Sequence, residues 1–319
     1  MYEQSTLSYR DPSGRTWQLQ GPNQNRHPVV LLRRPVGLFG TGVEVETRRV
    51  LNSRQSFRVQ TMPQSPNIEL VVQVAEHTPK DMATTLQAWF NAWPEDDDDA
   101  QWNAPRTGTL IASTPWVGQR MWDVYRTEEM EPLMGVDPLV ARRARFLVVA
   151  SADDPYPYGA DVVAKATFVA GKQITMPITN TGEVPVPPRV KFTVPELTDV
   201  SVEVTSPAGQ RLATFTYKVP GAGTLDLDPN SMTFSAGGEV KPMDWWWSGN
   251  GGAIAAMAKL LGVSPEQVPN GGTTLPLALP WGQNADAVLP PGRSTVKIKA
   301  SKAGSAEVQL TPRYRRLMF

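Results

Sequence analysis

The sequence predicts a mainly β protein of two domains, and three observations carry that prediction. Short runs rich in β-branched and aromatic residues recur between clusters of Gly, Pro and Asn, the pattern of strands separated by turns. The 30 prolines in 319 residues are about twice the usual share, and proline interrupts long helices. The length itself, at roughly 100 to 200 residues per domain, corresponds to about two domains and to enough chain for a sizeable core.

Taken in order, the first half predicts strands near Val29–Leu32, Val43–Val50, Ser56–Gln60, Ile68–Val74, Thr109–Ser113, Arg120–Arg126 and Ala144–Ala150. In the fourth of these, Ile68, Leu70, Val72 and Val74 fall at period two and share one inward face. One helix interrupts the series, with complete punctuation. Thr78 stands as N-cap, Pro79 at the first helical position, Asp81 in the first turn and Pro94 as the stop. Met82, Leu86, Trp89, Phe90 and Trp93 form one apolar stripe on a helical period, which predicts core packing rather than a ligand site. The acid run Glu95, Asp96, Asp97, Asp98 and Asp99 follows at once and predicts a solvated loop.

Residues 151–160 read SADDPYPYGA, a stiff turn-forming segment, and place a boundary between a first domain of 1–155 and a second of 156–319. Beyond it strands are predicted near Lys165–Val169, Lys172–Ile178, Arg189–Val194, Val200–Thr205, Arg211–Lys218, Thr224–Leu227, Thr295–Ala300 and Ala306–Tyr314, a spacing that suits a β-sandwich. An excursion at about 236–291 interrupts them. It holds Trp245, Trp246 and Trp247 and a short helical piece, in which Ile254, Met257, Ala258 and Leu261 form a stripe closed by Gly262. Ser264, Pro265 and Gln267 then start another turn.

Composition excludes several functions. With 31 Lys and Arg against 31 Asp and Glu the chain has no net charge, so no bulk field draws it to nucleic acid or to an anionic membrane. Zero cysteines remove disulfides, thiolate metal sites and cysteine nucleophiles together. The opening residues lack a basic segment followed by an apolar one, and no apolar run is long enough to cross a membrane; both predict a product kept in soluble form, with no membrane anchor. His27 precedes a proline and His77 precedes a helix cap, so each reads as a loop residue, not a general base. The nucleophile elbow, zinc-protease helix, EF-hand loop, phosphate loop and dinucleotide fingerprint are all missing. No catalytic residue, metal or cofactor is predicted. The four aspartates at 96–99 lack the alternating spacing and turn glycine of a calcium loop.

Trp245, Trp246 and Trp247 cannot all face one side of a strand. They predict either anchors that pack the excursion onto the sandwich and its subunit contacts, or, with Trp281, a platform on which a glycan stacks.

The order of turns resembles the distal tail proteins of long-tailed phages, known as minor tail proteins in phages of actinomycetes. The residues that carry the resemblance are RARFLVVASADDPYPYG at 143–159, a strand running into an aromatic Asp-Pro-Tyr turn, and ITMPITNTGEVPVPPRVKFTV at 174–194, a strand entering an Asn-x-Gly turn with prolines after it. LDLDPNSMTF at 225–234, LPPGRSTVKI at 289–298 and the closing VQLTPRYRRLMF extend the match across nearly the whole chain. The resemblance implies a belt-like N-terminal β domain with one helix, assembled into a ring of six copies. It implies a galectin-like β-sandwich after it, here carrying a long insertion. It also implies a place at the tail tip, where the ring joins the tail tube to the tip hub, beside the tape-measure protein, and lets DNA pass.

That role is compatible with the residues. Edge strands at 43–50 and 68–74, with Val43, Val45, Ile68, Leu70 and Val72, would find their missing partners on neighbouring subunits. DNA carries a charge about every 1.7 Å, so Glu95–Asp99, if turned to the lumen, would repel and lubricate it. Three functions are therefore weighed: a structural virion protein, a module that binds host-envelope glycan through the tryptophans, and a glycosidase or peptidoglycan hydrolase. Missing motifs disfavour the last.

Overall fold

The computed structural model describes residues 5–40, 42–49, 56–93, 107–219, 221–227, 232–236, 239–242 and 288–317. It divides into two compact units, one of Met1–Ala160 with Arg313–Phe319 and one of Asp161–Pro312. Both are built on antiparallel sheets, so the chain is mainly β.

Unit 1 runs through β1 (Thr6–Arg10), β2 (Thr16–Gln20), β3 (Val29–Leu31), β4 (Val43–Arg49), β5 (Ser56–Pro63), β6 (Ile68–Ala75), α1 (Pro79–Ala92), β7 (Gly108–Thr114), β8 (Gly118–Arg126), β9 (Glu131–Pro132), α2 (Pro138–Ala141) and β10 (Arg143–Ser151). Its main sheet has the order β2-β1-β7-β8-β10-β6-β3, with β9 on β10. The two ends of that order return to each other. No ladder joins them; the Gln24 side-chain amide spans the seam and donates to Leu19 O at 3.3 Å and Leu31 O at 3.1 Å. The sheet is thereby curled around one core of alternating residues, among them Leu7, Leu19, Leu70, Val72, Leu110, Trp122, Val124 and Val148.

α1 forms where its punctuation predicts. Thr78 caps it by accepting a hydrogen bond from Asp81 N at 3.1 Å, and Pro79 opens the first turn. Met82, Trp89 and Trp93 of its stripe are buried, and Leu86 packs beside them. Phe90 lies at the margin, half-exposed and edge-on to Phe146 at 5.3 Å. Thr85 shares the buried face because its hydroxyl donates to Glu76 at 2.7 Å.

Unit 2 runs through β11 (Val162–Phe168), β12 (Gln173–Asn180), β13 (Arg189–Val194), β14 (Thr198–Thr205), β15 (Arg211–Val219), β16 (Gly223–Leu227), β17 (Met232–Ala236), β18 (Glu239–Pro242), β19 (Gly292–Ala300) and β20 (Gly304–Leu310). They form a sandwich of two sheets, ordered β11-β20-β13-β16-β17-β18 and β12-β19-β14-β15. Inward-facing residues at period two fill the space between them, including Met176, Ile178, Phe192, Val202, Leu225, Ile298 and Val308. The Asn-x-Gly turn after β12 is held by Asn180, whose side chain accepts from Gly182 N and donates to Val184 O and Leu289 O, each at 2.9 Å.

Candidate assembly surface

The expected inter-subunit strands separate into two groups. β6 is internal. It pairs with β10 over eight residues, from Ala75 opposite Arg143 to Ile68 opposite Ala150, and with β3 through Val74, Gln73 and Val72. Ile68, Leu70 and Val72 are fully buried in the core of unit 1. The edge expected at 68–74 is therefore corrected: strands distant in sequence occupy both of its sides. Period two revealed which face turns inward but carries no information on neighbours.

β4 differs. Among the described residues it pairs only with β5, from Val43 opposite Pro63 to Arg49 opposite Ser56, and this hairpin belongs to none of the three larger sheets. A shift in register between Glu46 and Thr47 bends it. Val43 is 57% exposed and Val45 43%, on alternate positions and therefore on one face. A two-stranded ribbon is marginal alone in water. An apolar face and an unpaired strand edge give this ribbon both a surface and hydrogen-bonding groups for a partner.

Further apolar groups stand exposed on unit 1. Trp116 is 83% exposed at the tip of the hairpin between β7 and β8, where Gly118 supplies a φ of +80° and Thr114 Oγ1 accepts from Val117 N. Leu133, Val136, Leu139 and Val140 follow one another on the segment from β9 into α2. Sequence reading singled out none of these; Pro115-Trp116-Val117-Gly118, a turn with an aromatic at its apex, is a signal that could have found the first.

The outer faces of unit 2 are polar. Lys165, Glu307, Lys191 and Asp226 lie opposite one another across four strands, with Lys165 to Glu307 at 2.8 Å and Arg189 gripping Asp226 through two nitrogens at 2.8 and 2.6 Å. On the other sheet Lys297 meets Glu203 at 2.7 Å, and the hydrogen bond with this charge holds the Glu203 carboxyl below its ordinary range. Neither outer face presents an aromatic among the described side chains, so a glycan platform would have to come from Trp245, Trp246, Trp247 and Trp281. Those four lie outside the described residues, as do Glu95–Asp99 and the short helical piece at 253–268.

Chemistry finds few footholds in the described part. His77 is exposed, and its backbone carbonyl accepts from Arg142; His27 closes the short turn Gln24–Arg26, its backbone N–H donating to Gln24 O. Among the described residues no three His, Asp or Glu converge to hold a metal ion, and no helix is long and apolar enough to cross a membrane. The perturbed groups are structural. Burial, then the bonded Asp123 carboxylate, pushes the Tyr158 phenol up; burial, then Asp11, does the same to Tyr9.

Neither a known protein-family profile nor a curated protein matches the chain. Among solved structures it is similar to the Dit (gp 19.1) protein of phage SPP1, with a TM-score of 0.55 at 11% identity over 97% of this chain and 99% of that one. The chain shares the SPP1 Dit fold. SPP1 Dit is described as a paradigm of the hub adsorption apparatus in phages that infect Gram-positive bacteria. A chain of the phage p2 baseplate in its activated conformation with Sr gives a TM-score of 0.46 at 10% identity over 96% of this chain and 98% of that one. The Dit-like fold runs end to end, through both units.

Proposed function

We propose that this chain is a structural component of a phage tail tip, a distal tail protein whose activity is assembly and not turnover. Unit 1 acts as the belt: six copies close into a ring that joins the tail tube to the tip hub and lets DNA pass, and each copy also carries the galectin-like sandwich of unit 2. The single observation that carries the reading is the fold shared with SPP1 Dit over 97% of this chain and 99% of that chain. The β4–β5 hairpin supports it, because Val43 and Val45 are exposed on a ribbon that joins no larger sheet among the described residues. A closed ring covers such edges by symmetry.

The test is the mass of the purified full-length protein by light scattering across concentration, followed by negative-stain imaging of the main peak. Rings with a central hole are expected, alone or when the tail-tube protein of the same phage is added as template. A protein that stays monomeric under both conditions overturns the reading.

A further inference from the structure

Residues 313–317 follow unit 2 in the chain but belong to unit 1. Unit 2 is therefore an insertion, and its ends meet: Val162 pairs with Leu310, while Gln309 Nε2 and Thr311 Oγ1 donate to the Asp161 carboxylate at 2.6 and 2.5 Å. Neighbouring ends are what an inserted unit requires of the loop that carries it.

Within unit 1 the returning segment extends the sheet. Met121 of β8 exchanges both backbone hydrogen bonds with Tyr158, at 2.7 and 2.8 Å, on the side of β8 away from β7. Tyr158 is bridged in turn to Arg313, Tyr314 N donates to Pro157 O at 2.8 Å, and Leu317 N donates to Leu38 O at 3.0 Å. Side chains fix the same path. Arg120, 3% exposed, donates from Nη1 to Arg316 O at 2.7 Å and lays its guanidinium 4.0 Å from the centre of the Tyr314 ring. Arg313 pairs with Asp154 at 3.0 Å, and Leu317 is buried in the core of unit 1. Gly159 leaves the space, since a Cβ there would stand 2.9 Å from the Tyr314 ring.

Five residues thus supply a strand cover, a carbonyl for a buried cation and a core side chain, all to a unit whose other described residues precede Asp161. We propose that residues 313–317 are a clasp that closes unit 1 after the inserted unit, so that unit 1 is finished only in a chain that has run through unit 2 and returned. Tyr158 covers β8 at Met121, but among the described residues covering the outer edge at Pro157 and Tyr158 falls to no segment except 313–314, and an uncovered edge pairs with other chains. The inference stands on contacts inside unit 1 and is independent of the tail-tip reading.

Hydrogen exchange with mass spectrometry on the full-length protein tests it, comparing the wild type with Leu317→Asp and the milder Tyr314→Ala. Exchange in peptides covering 118–126 and 154–158 is expected to accelerate at least tenfold in both variants, with peptides covering 189–194 and 292–300 unchanged. Failure of Leu317→Asp to protect unit 1 while unit 2 stays protected supports the clasp in the same way. Unchanged exchange in unit 1 of Tyr314→Ala, or equal acceleration in both units, overturns it.

Discussion

The Trp93 indole lies flat on the Tyr9 ring, with centroids 4.0 Å apart and planes 3° from parallel. The pair ties the end of α1 to β1. Tyr9 Oη donates to Ala92 O at 2.7 Å, satisfying a carbonyl that the helix terminus leaves over. Trp89 stands edge-on to Tyr9, Trp93 and Trp17, so four aromatic rings form one block under the sheet. Gly108 is placed directly against the Tyr9 hydroxyl, and a Cβ at that position would collide with it. Trp93→Ala is expected to cost about 3–5 kcal/mol, and Tyr9→Phe only about 1 kcal/mol, in urea unfolding followed by Trp fluorescence.

The Tyr9 phenol also sets an alkaline limit. Burial, with Asp11 second, raises its pKa in the folded state above the unfolded value of about 10. A raised pKa means that the unfolded chain gives up its proton first, so the contribution is complete below about pH 10 and is lost as pH rises further. Unfolding midpoints measured from pH 8 to 11 should fall at the alkaline end in the wild type, and fall less in Tyr9→Phe.

The cap of α1 offers a smaller, cleaner effect. Thr78 Oγ1 accepts from Asp81 N at 3.1 Å and donates to the Asp81 carboxylate at 2.7 Å, both on the exposed surface. Thr78→Ala should therefore lower stability by about 1 kcal/mol without changing the fold, and Thr78→Ser should restore most of the loss. Thermal unfolding of the three proteins under one buffer checks it.

These two sites mark what was legible in the sequence. Thr78, Pro79 and Asp81 act on the helix start through bonds a few residues long, so the start can be read locally. The alternation Ile68, Leu70, Val72, Val74 likewise revealed an inward face. Its two neighbours could not be read, because they are set by pairings such as Val72 with Phe146 and Val72 with Leu31, far apart in the chain. β1 and β2 were missed although Asp11-Pro12-Ser13-Gly14 is a strong turn signal between them; at five residues each, their alternation of Leu7 with Tyr9 and Trp17 with Leu19 is brief. The last strand was expected to run to Tyr314. Thr311 and Pro312 end it after Leu310, and Tyr314 serves unit 1 instead. Of the candidate site, Val43 and Val45 were legible as strand residues, but their exposure follows from the hairpin standing outside the larger sheets.

The turn between β1 and β2 gives an acid-side prediction. Burial pushes the Asp11 carboxyl up, but hydrogen bonds from the Ser13 and Trp17 side chains and from Arg15 N and Ser13 N outweigh it, and hold the group below its ordinary range. A depressed pKa contributes stability that is complete above the unfolded value of about 3.9 and is lost as pH falls through the folded value. Asp11→Ala leaves the Trp17 indole N–H and two backbone N–H groups without this acceptor and should cost about 1–3 kcal/mol near neutral pH. The gap between wild type and variant should narrow below about pH 4 in acid titrations of the unfolding midpoint.

The hairpin supplies the prediction on which the ring reading turns. Val43 and Val45 project from one face of β4, and in the single chain they pack on nothing that keeps water away, since both are exposed. Replacing both with Lys should leave the monomer's unfolding free energy within about 0.5 kcal/mol of wild type, the range of ordinary surface substitutions. In the proposed ring the same two positions would be buried against a neighbour, where unpaired charge is costly. Light scattering should then show the large species of the wild type replaced by smaller ones, with circular dichroism unchanged. A double variant that still forms the wild-type assembly would place the subunit contact elsewhere on unit 1, where exposed Trp116 and the 133–140 segment are the next positions to substitute.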